Sequence, residues 1–246
     1  MKVDSYFLIK FRNCLYPLLM WLSKCKVKYQ IKIINEYVPI KDKPIIFAVN
    51  HQAFQDTPIA LKATKRRSYI YAGKQKLYWP DWLFFVLNEV IWVDRKDKRS
   101  KTESKGVLIE YLKKGQSILW FPEGTWNLTD NLLIMELKWG IIDVASRGNA
   151  QIIPVALYYN RAEKICRVNF GKPLCGKILQ DKMTAIHMLR DIMGTLYYDM
   201  MSKQQILHRR TVISEKLKKE MYKVVAEYPP FNQAYETSSI YYSGRY

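Results

Sequence analysis

The chain has 246 residues, 49% of them hydrophobic, which argues against intrinsic disorder and provides for one sizeable core. Lys and Arg number 40 against 22 Asp and Glu, a formal charge of +18 that points to an anionic partner: nucleic acid, acidic lipid or a phosphorylated substrate. Four cysteines without a C-x-x-C spacing argue against a disulfide-built scaffold and suggest no zinc site.

Tyr6 to Leu22 is apolar and aromatic but is interrupted by Lys10, Arg12 and Asn13. Its longest stretch free of charged or amide side chains, Cys14 to Leu22, falls short of the ~20 residues that cross a bilayer. Lys24, Lys26 and Lys28 follow directly. Apolar mass backed by a basic cluster predicts that residues 1–30 are interfacial helices lying in one leaflet; an amphipathic helix packed on the domain is the alternative. The 18 Tyr and 7 Trp suit a membrane boundary and suit base stacking equally.

Ile31 to Val38 reads as a strand, and Pro44 to Val49 as a buried one. After it comes Asn50-His51-Gln52-Ala53-Phe54-Gln55-Asp56, a polar turn, and then a helix with Pro58 near its start. Ser68 to Ala72 is a third strand, ending at Gly73-Lys74. Lys76 to Leu87 is a helix of large apolar residues, and Glu89 to Val93 is a strand ending in Asp94-Arg95. Ser100 to Lys114 is an amphipathic helix stopped by Gly115. Ser117 to Phe121 is a strand that runs into Pro122-Glu123-Gly124-Thr125-Trp126. Leu137 to Ser146 is helical, Gln151 to Leu157 and Ile165 to Phe170 are strands, and Met183 to Ile206 is a long helix. Thr211 to Tyr228 is a basic helix, followed by a tyrosine-rich tail. Strands alternating with helices predict an α/β fold: a mixed, mostly parallel sheet flanked by helices. The division expected is 1–30 membrane-associating, 31–207 catalytic with its motif core at 44–175, and 208–246 basic helix and tail.

Chemistry-bearing side chains gather at strand ends, where ligands bind in such sheets. His51 leaves a strand and Asp56 enters a helix. Within one continuous helix five residues would set them about 140° apart, so the intervening turn is what brings them together. A carboxylate on one imidazole nitrogen fixes the tautomer and frees the other as a general base. Arg95 offers a bidentate grip on phosphate, or a surface ion pair with Asp94 or Asp97. The Glu123-Gly124-Thr125 turn lets backbone approach a ligand.

These residues resemble the glycerolipid acyltransferase family. Asn50-His51 through Asp56 matches its first motif, Gly73-Lys74 and Val93-Asp94-Arg95 its second region, Phe121 to Thr125 its third and Ile152 to Val155 its fourth, with a weaker continuation at Gly171-Lys172-Pro173. The resemblance implies transfer of a fatty acyl group from acyl-CoA or acyl carrier protein to a lysolipid hydroxyl, with 1-acyl-sn-glycerol-3-phosphate as the leading acceptor. It implies His51 as base, Asp56 as its orienting acid, and Arg95, Lys74, Glu123, Gly124 and Thr125 as acceptor contacts. It implies no metal, no cofactor beyond the thioester co-substrate and no nucleic acid. It also implies a peripheral or monotopic place on the cytoplasmic face of an anionic cell membrane. Where the family has Arg after Glu-Gly-Thr, this chain has Trp126. An acceptor without glycerol phosphate, or a non-catalytic basic binder of membrane or nucleic acid, are the competing readings.

Overall fold

The computed structural model describes residues 3–23, 27–74, 89–127 and 132–202. The aromatic helix expected within 76–87, the basic helix of 211–228 and the tail lie outside the described residues.

Helix α1 spans Tyr6–Ser23. Strands β1 (Gln30–Asn35) and β2 (Ile45–Val49) precede helix α2 (Asp56–Thr64). Strands β3 (Ser68–Gly73) and β4 (Val90–Val93) lead to helix α3 (Lys98–Lys113). Then come β5 (Ser117–Trp120), α4 (Gly140–Arg147), β6 (Gln151–Asn160) and β7 (Ile165–Phe170). A 3-10 turn at Gly176–Gln180, absent from the sequence reading, leads into α5 (Lys182–Ser202).

The strands form one seven-stranded sheet in the order β1-β7-β6-β2-β5-β3-β4. Every neighbouring pair is parallel except β6–β7, as the α/β reading expected. β2 lies at the centre and is fully buried, because both of its faces are covered. Ile46 and Ala48 pack with α3, α4 and α5 through Leu108, Ile141 and Leu189. Ile45, Phe47 and Val49 face α2 through Ile59 and Ala63. That two-sided burial explains why β2 is an unbroken apolar run and not an alternating one.

The parallel arrangement puts the carboxyl ends of β2, β5, β3 and β4 side by side along one edge of the sheet. α1 sits at the opposite edge. Its Arg12 reaches Glu89, just before β4, at 2.9 Å, and its Tyr16 hydroxyl lies 3.2 Å from the carbonyls of Leu61 in α2 and of Arg66 just before β3. The Asp4 amide donates to the Tyr111 hydroxyl, and Ile9 joins the core beside Leu108 and Leu112. α1 is therefore fastened to the domain on its inner face. No helix among the described residues is long and apolar enough to cross a membrane.

Candidate active site

The turn that follows β2 is closed by a single carboxylate. Asp56, fully buried at the start of α2, accepts from the backbone N–H of Gln52 at 2.5 Å and of Ala53 at 2.7 Å, both through Oδ2. The same oxygen lies 2.9 Å from His51 Nδ1. With Nδ1 engaged, Nε2 of His51 is the nitrogen left to exchange a proton with a substrate. The imidazole stacks on Phe121, with ring centroids 4.1 Å apart, and meets Trp126 edge-on at 5.9 Å.

The preceding residue anchors the strand end. The Asn50 side chain, 1% exposed, accepts from the Leu157 N–H and donates to the Leu157 carbonyl, tying β2 to β6. His51 itself donates its backbone N–H to Oε1 of Glu123 at 2.8 Å, while its carbonyl accepts from Asn127 at 2.6 Å. Oε2 of Glu123 accepts from the Met135 N–H at 2.8 Å. Glu123 thus ties the turn after β2 to both ends of the connection between β5 and α4, a task the sequence reading did not assign to it. Burial pushes its carboxyl up to about 7, against the pull of the two N–H donors.

Gly124 follows at φ +77°, the left-handed region that glycine adopts without strain, and its N–H closes a turn on the Phe121 carbonyl. Two adjoining cavities open here. The smaller, about 80 Å³, is walled by His51, Phe121, Trp126, Gly124 and Arg95. The larger, about 420 Å³, is reached past the same Gly124 and Arg95 and holds Lys101, Lys105 and Lys138, with Glu123 and Thr125 on its wall. A volume of this size suits a small-molecule headgroup.

Arg95 lies across the end of β3. A Cβ on Gly73 would stand 2.7 Å from its Nε, so the guanidinium occupies the space that a side chain there would fill. Of the residues singled out in the sequence, His51, Asp56, Arg95, Glu123, Gly124 and Thr125 come together around these cavities. Lys74 lines neither cavity; it is exposed, and its N–H pairs with the Val93 carbonyl. Lys101 and Lys105, one turn apart on α3, line the larger cavity and are not among the residues that the sequence singles out. Lys105 lies 4.4 Å over the Trp139 ring and 3.4 Å from Asp143. Trp126, where the family has arginine, walls the imidazole pocket and does not enter the cationic one.

Comparison with known proteins bears on this arrangement. A family model described as Acyltransferase matches residues 30–158. A 1-acyl-sn-glycerol-3-phosphate acyltransferase of Borreliella burgdorferi is 28% identical over 206 residues, covering 83% of this chain and 77% of that protein. Proteins of the same name from Chlamydomonas reinhardtii and Saccharomyces cerevisiae are 29% and 28% identical over 52% and 59% of this chain. The matched region spans under half the length of those two, 39% and 47%. The crystal structure of the 1-acyl-sn-glycerophosphate acyltransferase PlsC from Thermotoga maritima superposes with a TM-score of 0.63. It covers 82% of this chain and 86% of that one at 17% identity, which is a likeness of fold.

Proposed function

This chain belongs to the acyltransferase family, and from that premise we propose that it is an enzyme of phospholipid biosynthesis. It moves a fatty acyl group from an acyl thioester to the free hydroxyl of a lysolipid, 1-acyl-sn-glycerol-3-phosphate first among them. The observation that carries the reading is the His51 Nδ1 to Asp56 Oδ2 contact at 2.9 Å beside an open cavity.

Nε2 of His51 takes the proton of the acceptor hydroxyl as its oxygen attacks the thioester carbonyl carbon. The tetrahedral intermediate then expels the thiolate, breaking the C–S bond, and the imidazolium returns its proton to the departing sulfur. An ester and a free thiol result. Asp56 holds the imidazole in the productive tautomer and offsets its charge once protonated. No covalent acyl-enzyme is required, because the acceptor is itself the nucleophile.

The acceptor's phosphate goes to the larger cavity, where Arg95, Lys101, Lys105 and Lys138 provide the positive charge that Trp126 does not. Gly124 lines both cavities and Thr125 lines the larger, so both stand beside the acceptor in this reading. The donor is acyl-CoA or acyl carrier protein. The outer side of α1 supports attachment to an anionic leaflet: Phe7, Phe11 and Leu18 are exposed by 80%, 52% and 53% at helical spacing.

The test is release of free thiol from long-chain acyl-CoA and acyl carrier protein against a panel of lysolipids, with products identified by mass. The reading expects phosphatidic acid from lysophosphatidate. Turnover with lysophosphatidylcholine but not lysophosphatidate would reassign the acceptor, and no thiol release with any acceptor would remove the enzyme.

A further inference from the structure

We propose that Tyr159 is a positioning residue for the His51–Asp56 pair, holding the acid by the oxygen that the histidine does not use. The inference rests on the reading of His51 as base. Oδ2 of Asp56 serves His51 Nδ1, Gln52 N and Ala53 N. Oδ1 accepts a hydrogen bond from the Tyr159 hydroxyl. A carboxylate held through one oxygen alone can turn about its Cβ–Cγ bond; a donor on the second oxygen removes that freedom.

The sheet delivers Tyr159 to this place. β6 pairs with β2 as far as Val49↔Val155 and then runs on past the end of β2, beside the His51–Asp56 turn. Tyr159 has the parity of Ile153, Val155 and Leu157, the β6 residues that face α2, so its ring points to the helix that Asp56 begins. The neighbouring Tyr158 faces the other way, against Tyr197. Tyr29 packs edge-on against the Tyr159 ring with centroids 4.9 Å apart, fixing it from the entry to β1.

The titratable groups around the pair are Cys166 from β7, Glu123 from the loop after β5, and Tyr29. Burial and then the Asp56 charge raise the Tyr159 phenol well above its ordinary value, so it stays a donor wherever the enzyme works. Burial likewise raises the Cys166 thiol, which stays neutral. The phenol competes with the imidazole for the carboxylate's charge. It therefore bears on how readily His51 gives up its proton as well as on where the ring points.

The experiment uses the full chain, lysophosphatidate and long-chain acyl-CoA, and follows thiol release across pH. Tyr159→Phe lowers kcat about 10- to 100-fold, the range expected for one hydrogen bond to a charged group. The KM of each substrate stays within about twofold, because the phenol touches neither. The acidic limb of kcat/KM moves to higher pH, since the freed carboxylate holds the imidazolium more tightly. Replacing Tyr159 by 3-fluorotyrosine keeps ring and hydroxyl but strengthens the donor, and moves the limb the other way. Unshifted limbs in both variants, or kcat unchanged in Tyr159→Phe, overturn the proposal. Should the Phe variant fail to fold, the fluorotyrosine profile decides alone. Activity surviving His51→Ala would sink the underlying reading instead; a dead His51→Ala beside unshifted Tyr159 profiles would sink this inference only.

Discussion

Glu123 shows how one buried carboxyl serves structure beside the chemistry. It is 2% exposed, and both of its oxygens accept backbone N–H groups, one from the turn after β2 and one from farther along its own connection. An acid whose folded value is about 7 against an ordinary 4.5 keeps its proton longer when folded. Its contribution to stability is therefore full below pH 4.5 and is lost as pH rises through 7, on the order of 3 kcal/mol. Urea unfolding of wild type and Glu123→Gln at pH 5 and pH 8 checks this: wild type gains on the variant at pH 5, and a pH-independent difference would refute it. Gly73 supports Arg95 by having no side chain. Gly73→Ala should displace the guanidinium and raise the KM for lysophosphatidate about tenfold with kcat and melting temperature nearly unchanged, about the effect of losing one charged hydrogen bond. At this scale the sequence disclosed His51, Asp56 and Arg95 because they stand in spaced motifs at strand ends. It left out Tyr159, because the strand expected at Gln151 to Leu157 stops with the aliphatic residues, although the strand-favouring Tyr158 and Tyr159 carry it on. Lys101 and Lys105 were hidden by their ordinary place on the polar side of α3.

Boundaries of the elements moved where a loop had another commitment. The helix expected from Leu137 begins at Gly140. Its intended first turn is held elsewhere, because the Lys138 N–H donates to the Pro122 carbonyl and the Met135 N–H to Glu123. α3 begins at Lys98, two residues before the expected Ser100, because the Asp97 side chain accepts from the Arg99 N–H and caps it. α1 has two unlike sides. Arg12, Tyr16 and Ile9 fasten it to the amino-end edge of the sheet, and Phe7, Phe11 and Leu18 face outward. Replacing those three by Ser should cut sedimentation with anionic vesicles at least tenfold, since each buried apolar side chain is worth roughly 1.5–3 kcal/mol. Melting temperature should hold, and turnover of water-soluble short-chain substrates should stay within about twofold, because the stripe lies at the far edge from His51. Unchanged sedimentation would end the membrane role of α1.

For the whole molecule, alternation of strands and helices was enough to predict an α/β sheet, since short apolar runs separated by amphipathic segments pack stably in few ways. The strand order was not legible, nor was the antiparallel pairing of β6 with β7, because both follow from long-range pairing that no local pattern records. The parallel core matters most for function. It aligns the ends of β2, β5, β3 and β4, and so turns motifs scattered between Asn50 and Thr125 into one cavity wall. The formal charge of +18 agrees with the proposal, in which thioester donor, lysophosphatidate and leaflet would each be anionic.

The most direct measurement compares thiol release from long-chain acyl-CoA and lysophosphatidate by the wild-type chain and by His51→Ala. Both proteins are first matched by circular dichroism. The account predicts a loss of about 10²–10⁴-fold in kcat, the contribution of a positioned base, with the fold retained. A folded His51→Ala chain that releases thiol at the wild-type rate would contradict it.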